Sequence, residues 1–330
     1  MDKIRIGIVG YGNLGKGVEM AIKQNDDMEL VGVFTRRNPD TISLNTENAK
    51  VYSIDDAKNM KDAIDVILLC GGSATDLPVQ GPELAAMFHT IDSFDTHAKI
   101  PEYFSHMDTV SKENGHLSII CVGWDPGLFS LNRAILESVL PNGKSYVFYG
   151  RGLSQGHSDA VRRINGVKNA VQYTVPYEKA VDAVRNGEEP DFQSAGDRMW
   201  RECFVVLEDG ADANKVEKEI KEMPNYFDEY HTVVHFISEQ ELEKNHSTMP
   251  HGGFVLRSGK TGENLETKQI AEFSLKLESN PEFTSSVLIA YARAAYRLAQ
   301  KGETGARTVF DIAPSLLSQK TPEQMRKELL

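Results

Sequence analysis

The sequence predicts an α/β protein with two domains, a parallel sheet between helices followed by an α+β domain with a mixed sheet. An apolar run over residues 4–9 leads directly into the glycine motif Gly10-Tyr11-Gly12-Asn13-Leu14-Gly15. Strand-like apolar runs then alternate with helical segments through the first third of the chain, which is typical of a parallel sheet. After about residue 125 apolar and polar residues alternate within the strands, as in a sheet with one covered face.

The glycine motif stands between a strand and a helix, which is the order that a Rossmann-type dinucleotide-binding domain requires. Gly10 permits a tight turn, Gly12 lets the backbone approach a pyrophosphate, and Gly15 allows close packing of helix on strand. The free N–H groups and the dipole at the helix start favour bound phosphate. A glycine turn without a ligand is the alternative, but this context favours dinucleotide binding.

Four further strands are predicted in the first domain, over residues 29–34, 66–70, 89–92 and 117–122. The last three lead into small or polar residues, namely Gly71-Gly72-Ser73, Ser93-Phe94-Asp95 and Gly123-Trp124-Asp125. Ligands of open α/β sheets bind beyond the carboxyl ends of the strands, so we expect the chemistry at these three segments.

The second domain is predicted from strands over residues 203–207 and 232–237, a helix over 213–222 and an alternating strand over 271–277. An alanine-rich segment over 285–300 has the apolar spacing of a long helix, which belongs either to the second domain or, with the tail, to the first. We therefore expect a dinucleotide-binding domain over residues 1–122 and a second domain over 123–299. The segment 300–330 is expected to pack back on the first domain.

Composition narrows the class of protein. The 330 residues exceed what one core usually fills, and a formal net charge of −12 disfavours nucleic acid or an anionic membrane as a partner. No apolar stretch approaches the roughly 18 residues of a membrane span. The three cysteines, Cys70, Cys121 and Cys203, are far apart and fit a reducing cytoplasm. No histidine or cysteine pattern has metal-ligand spacing, so we expect no metal.

The end of the second strand indicates which nicotinamide cofactor the first domain takes. NAD enzymes usually place an acidic residue there, whereas this chain has Thr35-Arg36-Arg37. Two guanidinium groups can pair with a 2′-phosphate that a carboxylate would repel, so we predict NADP. The alternative is that Arg36 and Arg37 are solvated surface residues.

Two aspartates, Asp95 and Asp125, follow strands and are predicted at the mouth of the cofactor crevice. Paired carboxylates there suggest a cationic substrate group such as an ammonium, although an aspartate after a strand is also a common helix cap or turn residue. Trp124 either walls a pocket or packs in the core. His251 lies in a glycine-flanked turn before a strand, where it is either structural or functional.

Six blocks together resemble the meso-diaminopimelate dehydrogenase family, and they occur in the family's order over nearly the whole chain. The most specific are Gly123-Trp124-Asp125-Pro126-Gly127 and Gly152-Leu153-Ser154-Gln155-Gly156-His157-Ser158-Asp159. The others are Val9-Gly10-Tyr11-Gly12-Asn13-Leu14-Gly15, Gly72-Ser73-Ala74-Thr75-Asp76, Met249-Pro250-His251-Gly252-Gly253 and Asn280-Pro281-Glu282-Phe283-Thr284.

The resemblance implies an NADP-dependent, reversible oxidative deamination at the D-centre of meso-2,6-diaminopimelate. The products are L-2-amino-6-oxopimelate, ammonia and NADPH, in lysine and cell-wall precursor synthesis. It also implies a cytoplasmic homodimer whose second domain binds substrate and mediates dimerisation. The predicted cofactor site comprises the glycine motif, the end of the second strand and the later loops: Gly10, Tyr11, Gly12, Asn13, Leu14, Thr35, Arg36, Arg37, Cys70, Gly71, Gly72, Ser73, Ala74, Thr75, Ser93, Phe94, Asp95, Cys121, Val122 and Gly123.

The substrate-binding residues that the resemblance implies form three groups along the substrate. Asp95 and Asp125 lie near the reacting amino group with Trp124 beside it, Tyr149 and Gln155 line the middle, and Thr174, Arg201, His251 and Asn280 hold the distal L-centre. Arg198 competes with Arg201, and position 149 is often tryptophan in relatives. Asp95 and Asp125 are the predicted catalytic residues, with Asp125 or a bound water as the base.

Two other functions remain as alternatives at this stage. One is a different NADP-linked reductase of amino-acid synthesis, such as a dihydrodipicolinate reductase or a homoserine dehydrogenase. The other is an NADP-sensing regulator without catalysis, which would need neither the paired aspartates nor a distal arginine.

Overall fold

The computed structural model describes residues 3–330 and divides into two compact units. The first comprises the described part of Met1–Leu131 together with Pro281–Leu330, and the second comprises Asn132–Asn280. Its strands are β1 (Ile4–Val9), β2 (Met28–Thr35), β3 (Lys50–Ser53), β4 (Val66–Leu69), β5 (Thr90–Asp92), β6 (Leu117–Ile119), β7 (Gly143–Tyr149), β8 (Gly152–Leu153), β9 (Val167–Pro176), β10 (Met199–Leu207), β11 (Thr232–Phe236), β12 (His251–Thr261), β13 (Thr267–Leu277) and β14 (Gly305–Arg307). Its α-helices are α1 (Asn13–Lys23), α2 (Leu77–Ala85), α3 (Ile100–Asn114), α4 (Leu128–Val139), α5 (Gln155–Arg162), α6 (Glu178–Arg185), α7 (Ala213–Lys221), α8 (Glu239–His246), α9 (Asn280–Ala299), α10 (Pro314–Leu317) and α11 (Pro322–Leu329).

The first unit contains a sheet in the order β14-β6-β5-β4-β1-β2-β3, with every neighbouring pair parallel. This is the predicted Rossmann-type sheet, and β4 is fully buried, as its continuous apolar run predicts. The sequence prediction missed β3 and β14. Their side chains are partly exposed or small, so neither has the apolar pattern of a buried strand.

The long helix α9 belongs to the first unit, whereas residues 281–299 were predicted in the second domain. Val287, Leu288 and Tyr291 pack into the same hydrophobic core as β1, β6 and α1. Ser285 on α9 donates its hydroxyl to the backbone oxygen of Leu14 at 2.9 Å. The compact units therefore differ from the predicted domain limits, because α9 and residues 123–131 complete the core of the first unit.

The second unit contains two sheets where one mixed sheet was predicted. One sheet has the order β11-β10-β9-β8, with β10 and β11 parallel and the other neighbours antiparallel. The other has the antiparallel order β13-β12-β7. The alternation predicted for residues 271–277 is present in β13, where the side chains alternate between exposed and covered positions. Alternation gives the faces of a strand but not its partners, so the split into two sheets had no signal in the sequence.

Candidate active site

A pocket of about 370 Å³ lies at the carboxyl ends of β1, β2 and β4 in the first unit. The glycine motif forms one wall, and Gly10 adopts the left-handed φ of +89° that its turn requires. A Cβ at Gly15 would lie 2.2 Å from the backbone oxygen of Gly10, whereas a Cβ at Gly12 would meet no described atom within 4 Å. Gly15 therefore serves packing, and Gly12 leaves space that a bound phosphate can use.

The pocket takes in nine of the predicted cofactor residues and five that the sequence did not indicate. The predicted ones are Gly10, Tyr11, Gly12, Thr35, Arg36, Arg37, Cys70, Gly71 and Gly72. The additional ones are Val9, Phe34, Ile54, Asp76 and Gln80. Val9 ends β1 and Phe34 is the last residue but one of β2, and each adjoins a predicted residue in the sequence. Asp76 closes the Gly72–Asp76 block. These positions beside predicted residues were the signals that could have indicated the three.

Both arginines after β2 are held at the edge of this pocket. The Arg36 guanidinium lies 2.8 Å from a carboxylate oxygen of Asp76, and most of its side chain is exposed. Arg37 donates a guanidinium N–H to the backbone oxygen of Tyr11 at 2.6 Å. No carboxylate stands at the position that NAD enzymes use, so the rim of the pocket suits an anionic group on the cofactor.

Hydrogen bonds tie together the loops that follow β4 and β5. The Ser73 hydroxyl oxygen accepts the backbone N–H of Asp95 at 2.8 Å and that of Thr96 at 3.1 Å. Asp95 is exposed, and Phe94 beside it is buried against the ring of Tyr103. The side chain of Phe94 is therefore committed to the core, and only its backbone remains for a cofactor.

The loop after β6 presents Trp124 and Asp125 at the start of α4. Trp124 is buried, and its ring packs edge-on against Phe129 at 5.2 Å between centroids. Asp125 is half-buried. A backbone bond of 2.7 Å from the Phe129 N–H to the Trp124 oxygen closes this turn. Trp124 thus packs in the core, as one of the two interpretations of the sequence expected, and it directly precedes the half-buried Asp125.

A second group of predicted residues lies together in the second unit, on the neighbouring strands β9 and β10. Thr174 and Arg201 are opposite each other in the antiparallel register, and the guanidinium donates to the Thr174 hydroxyl oxygen. The guanidinium also stacks on the ring of Tyr230, 3.9 Å from its centroid. The sequence analysis missed Tyr230, which precedes the strand next to β10 and carried no motif.

Arg201 is a buried cation without an anionic partner. Arg201 is 7% exposed, and its Nε has no hydrogen-bond partner. No carboxylate among residues 3–330 forms an ion pair with its guanidinium group. Burial lowers the pKa of Arg201, as expected for a charge moved out of water. Because a buried charge is normally paired, this geometry suits a ligand that brings a carboxylate.

Arg198, the competing candidate, is placed differently. It is half-buried, and its guanidinium donates to the backbone oxygen of Val147 at 3.2 Å. That bond commits Arg198 to the neighbouring strand β7. The Nε of Arg198 is also without a hydrogen-bond partner, so the deeper burial of Arg201 and its place opposite Thr174 are what favour Arg201 as the residue that holds a ligand carboxylate.

The remaining predicted substrate residues surround β8 and the start of β12. Tyr149 and His251 lie edge to face with ring centroids 6.2 Å apart. Gln155 donates its side-chain amide to the sulfur of Met249 at 3.0 Å, and the backbone N–H of Asn280 donates to the Met249 oxygen at 3.0 Å. Register places Gly152 of β8 opposite Thr174, so this group adjoins Arg201.

His157 begins α5 close to this group. Its Nδ1 lies 2.7 Å from the Ser154 hydroxyl oxygen, and its ring contacts Phe227. Burial, with the positive charge of Arg201, lowers the pKa of His157 to about 4. His157 is therefore neutral at physiological pH and adds no second cation to the group.

No metal site or membrane segment is present in the described part of the chain. Within residues 3–330, no group of three or more His, Cys, Asp or Glu side chains is arranged to hold a metal ion. No helix in that range combines the length and apolar character that crossing a membrane requires.

Comparison with known proteins identifies the family. A family model described as "Diaminopimelic acid dehydrogenase C-terminal domain" matches residues 123–279. The meso-diaminopimelate D-dehydrogenase of Ureibacillus thermosphaericus is 66% identical over 330 residues, which cover 100% of both chains. The chain belongs to the meso-diaminopimelate D-dehydrogenase family. The predicted family and the predicted class of enzyme, an amino-acid dehydrogenase, are thereby confirmed.

Solved structures agree with this membership of the meso-diaminopimelate D-dehydrogenase family. The Corynebacterium glutamicum DAP dehydrogenase in complex with DAP is 43% identical, with a TM-score of 0.91 over 100% of both chains. An engineered D-amino acid dehydrogenase bound to NADP⁺ is 41% identical, with a TM-score of 0.86 over 99% of this chain and 100% of that one. The two-part α/β architecture is therefore shared with these relatives.

Replacing both Arg36 and Arg37 with glutamine is expected to weaken NADP⁺ binding at least tenfold and to leave NAD⁺ binding nearly unchanged. A charge-assisted hydrogen bond to a 2′-phosphate contributes about 1.5–3 kcal/mol. Dissociation constants from calorimetry measure the effect. Arg5→Gln is the matched control, because Arg5 pairs with Asp65 and starts β1 at the opposite end of the sheet. Unchanged NADP⁺ affinity in the double variant would contradict the prediction that Arg36 and Arg37 bind the 2′-phosphate.

Proposed function

We propose that this chain catalyses the NADP-dependent, reversible oxidative deamination of meso-2,6-diaminopimelate at its D-centre. The products are L-2-amino-6-oxopimelate, ammonia and NADPH. The observation that carries the proposal is the buried Arg201, which lacks an anionic partner in a chain of this family. Diaminopimelate has a carboxylate at each end, so its distal carboxylate can neutralise Arg201 while the other end reacts.

The cofactor is proposed to bind in the pocket of the first unit. The space above Gly12 suits a pyrophosphate, and Arg36 and Arg37 are proposed to hold the 2′-phosphate. A nicotinamide cofactor held there would supply the acceptor for the hydride of the D-centre. The other predicted cofactor residues are proposed to contact it from the glycine motif, the end of β2 and the loops after β4, β5 and β6.

The substrate residues keep the roles that the resemblance implies. Asp95 and Asp125 are proposed to pair with the ammonium of the D-centre, and Asp125 or a water beside it takes its proton before hydride transfer. Trp124 walls that end, and the middle and distal groups bind the rest of the molecule. The middle and distal residues are Tyr149, Gln155, Thr174, Arg201, His251 and Asn280.

The test is NADP⁺ reduction with each diaminopimelate stereoisomer supplied separately, followed at the absorbance of NADPH. Turnover with the meso isomer and none with the L,L isomer is expected, since only a D-centre reacts. Consumption of NADPH on a dihydropyridine or a semialdehyde, without activity on diaminopimelate, would indicate another reductase. Binding of NADPH with no turnover at all would indicate a regulator. Neither alternative is favoured by the relatives.

We also propose that the enzyme is a cytoplasmic homodimer and that Asn132–Asn280 mediates dimerisation. The family resemblance supports both the dimer and the cytoplasmic location. The three cysteines support only the location, because none of them is in a disulfide. Sedimentation equilibrium of the purified chain distinguishes a dimer from a monomer or a larger oligomer.

A further inference from the structure

A buried carboxylate, Asp92, lies at the end of β5 and has no role in the function proposed above. It is fully buried, and one of its oxygens accepts two backbone N–H groups, from Phe94 at 2.9 Å and from Cys121 at 3.3 Å. Its other oxygen accepts the phenol hydroxyl of Tyr103 at 2.8 Å. The backbone oxygen of Asp92 also accepts the N–H of Val122 at 2.9 Å. Every oxygen of this residue is thus used.

These bonds join two loops that follow different strands. Phe94 directly precedes Asp95 in the loop after β5, and Cys121 lies in the loop after β6 that leads to Asp125. Cys121 has a φ of 59°, a left-handed conformation that is unfavourable for a residue with a Cβ. The bond from its N–H to Asp92 helps to hold that conformation. Asp92 is therefore the side chain through which both loops are tied at their bases.

The residues around Tyr103 hold its ring and leave room for the hydroxyl group that donates to Asp92. The Tyr103 ring stacks on Phe94, with centroids 4.1 Å apart and planes within 15°. A Cβ at Gly81 on α2 would lie 2.2 Å from the Tyr103 hydroxyl oxygen, so only glycine leaves room for it. Burial raises the pKa of Asp92 to about 6, which leaves the carboxyl ionised above that pH. An ionised acceptor strengthens all three hydrogen bonds to its side chain.

We propose that Asp92 is a positioning residue that sets the placement of Asp95 relative to Asp125, with Tyr103 as its supporting donor. The proposal rests on the proposed function, because Asp92 affects the reaction only if Asp95 and Asp125 pair with the reacting ammonium. Displacements of about 1 Å in reacting groups can lower rates on the order of a hundredfold. Loss of Asp92 is therefore expected to lower kcat by a larger factor than it weakens NADPH binding, because the lining of the cofactor pocket lies outside both loops and the loops supply only part of the proposed cofactor contacts.

The test compares Asp92→Ala with the conservative Asp92→Asn. Asparagine keeps a side-chain oxygen that can accept the N–H groups of Phe94 and Cys121, whereas alanine removes every side-chain acceptor. Asp92→Ala is expected to lower kcat on meso-diaminopimelate tenfold to a hundredfold, and Asp92→Asn to recover most of that loss, on the order of the effect above. The dissociation constant for NADPH should change by a smaller factor than kcat in both variants.

Ser118→Ala is the matched control for a merely structural effect. Ser118 lies on β6 opposite Thr90 of β5, and its buried hydroxyl oxygen accepts from Thr90 at 2.8 Å and lies 2.7 Å from that of Ser111. The variant removes one buried hydrogen bond between the same two strands and one to Ser111 on α3, further from the loops. It is expected to lower the Tm and to leave kcat unchanged. An equal fall in kcat for Ser118→Ala and Asp92→Ala overturns the proposal.

Hydrogen exchange of the two loops supplies a readout that does not depend on activity. Amides of residues 93–96 and 121–125 should exchange faster in Asp92→Ala than in the wild type, and not in Ser118→Ala. If Asp92→Ala does not fold, Tyr103→Phe carries the same test with a smaller expected change. Unchanged kcat and exchange overturn the role of Asp92. An inactive wild type instead overturns the proposed function, and the exchange rates then still decide whether Asp92 holds the loops.

Discussion

The triple variant Arg201→Met, Thr174→Val and His251→Asn is expected to lose activity on meso-diaminopimelate and to gain activity on D-amino acids with apolar side chains. In the wild type such substrates leave the buried Arg201 unpaired, and methionine removes that penalty. Loss of one partner of a buried charge pair costs about 2–5 kcal/mol, so kcat/KM for meso-diaminopimelate should fall by roughly thirtyfold or more. Steady-state rates of NADP⁺ reduction measure both changes.

Arg198→Met is the control for this specificity change. It removes a guanidinium from the same unit, but one that is bonded to the backbone of Val147. Arg198→Met should lower stability more than it changes substrate preference. L-amino acids should stay inert in the triple variant because Asp95 and Asp125 are unchanged. Full activity on diaminopimelate, or equal oxidation of L- and D-amino acids, would show that the substrate residues are not divided into a reacting end and a distal clamp.

Asp125→Asn is expected to lower kcat by about a hundredfold or more, because general-base catalysis contributes on the order of a hundredfold to ten-thousandfold. The substitution keeps the size of the side chain and removes both its charge and its ability to accept the ammonium proton. The measurement is kcat and KM for meso-diaminopimelate at saturating NADP⁺.

Asp26→Asn makes the same chemical change at an exposed position that precedes β2, at the opposite end of the sheet from the pocket. It is expected to leave kcat and KM unaltered. A near-normal kcat with a raised KM in Asp125→Asn reassigns Asp125 to substrate binding, and a water then serves as the base.

The local pattern of the chain was enough to predict five of the seven strands in the sheet of the first unit, together with its glycine motif. Residues 4–9 were predicted as a strand and form β1, and residues 66–70 correspond to β4. Such elements are readable because a covered strand needs a continuous apolar run, and a turn with positive φ needs glycine. The two motifs with the most specific resemblance likewise indicated the family, which the relatives confirm.

Contacts between distant residues were decided only by the tertiary structure. The sequence contained Thr174, Arg201 and Tyr230, but the register of β9 and β10 and the stacking of Tyr230 make them one cationic group. It likewise contained Asp92 as the last residue of a predicted strand. Only the structure shows that a carboxylate oxygen of Asp92 accepts N–H groups from both the loop after β5 and the loop after β6. The placement of α9 in the first core follows the same rule.

The sequence by itself therefore determined the class of fold, the family and the chemical types available for catalysis, because these depend on local periodicity and on short motifs. Only the tertiary structure decided which side chains are buried, which of the two arginines lies deeper, and which loops are joined. Strand register, side-chain burial and pairing are properties of residues far apart in the chain, and no local pattern specifies them.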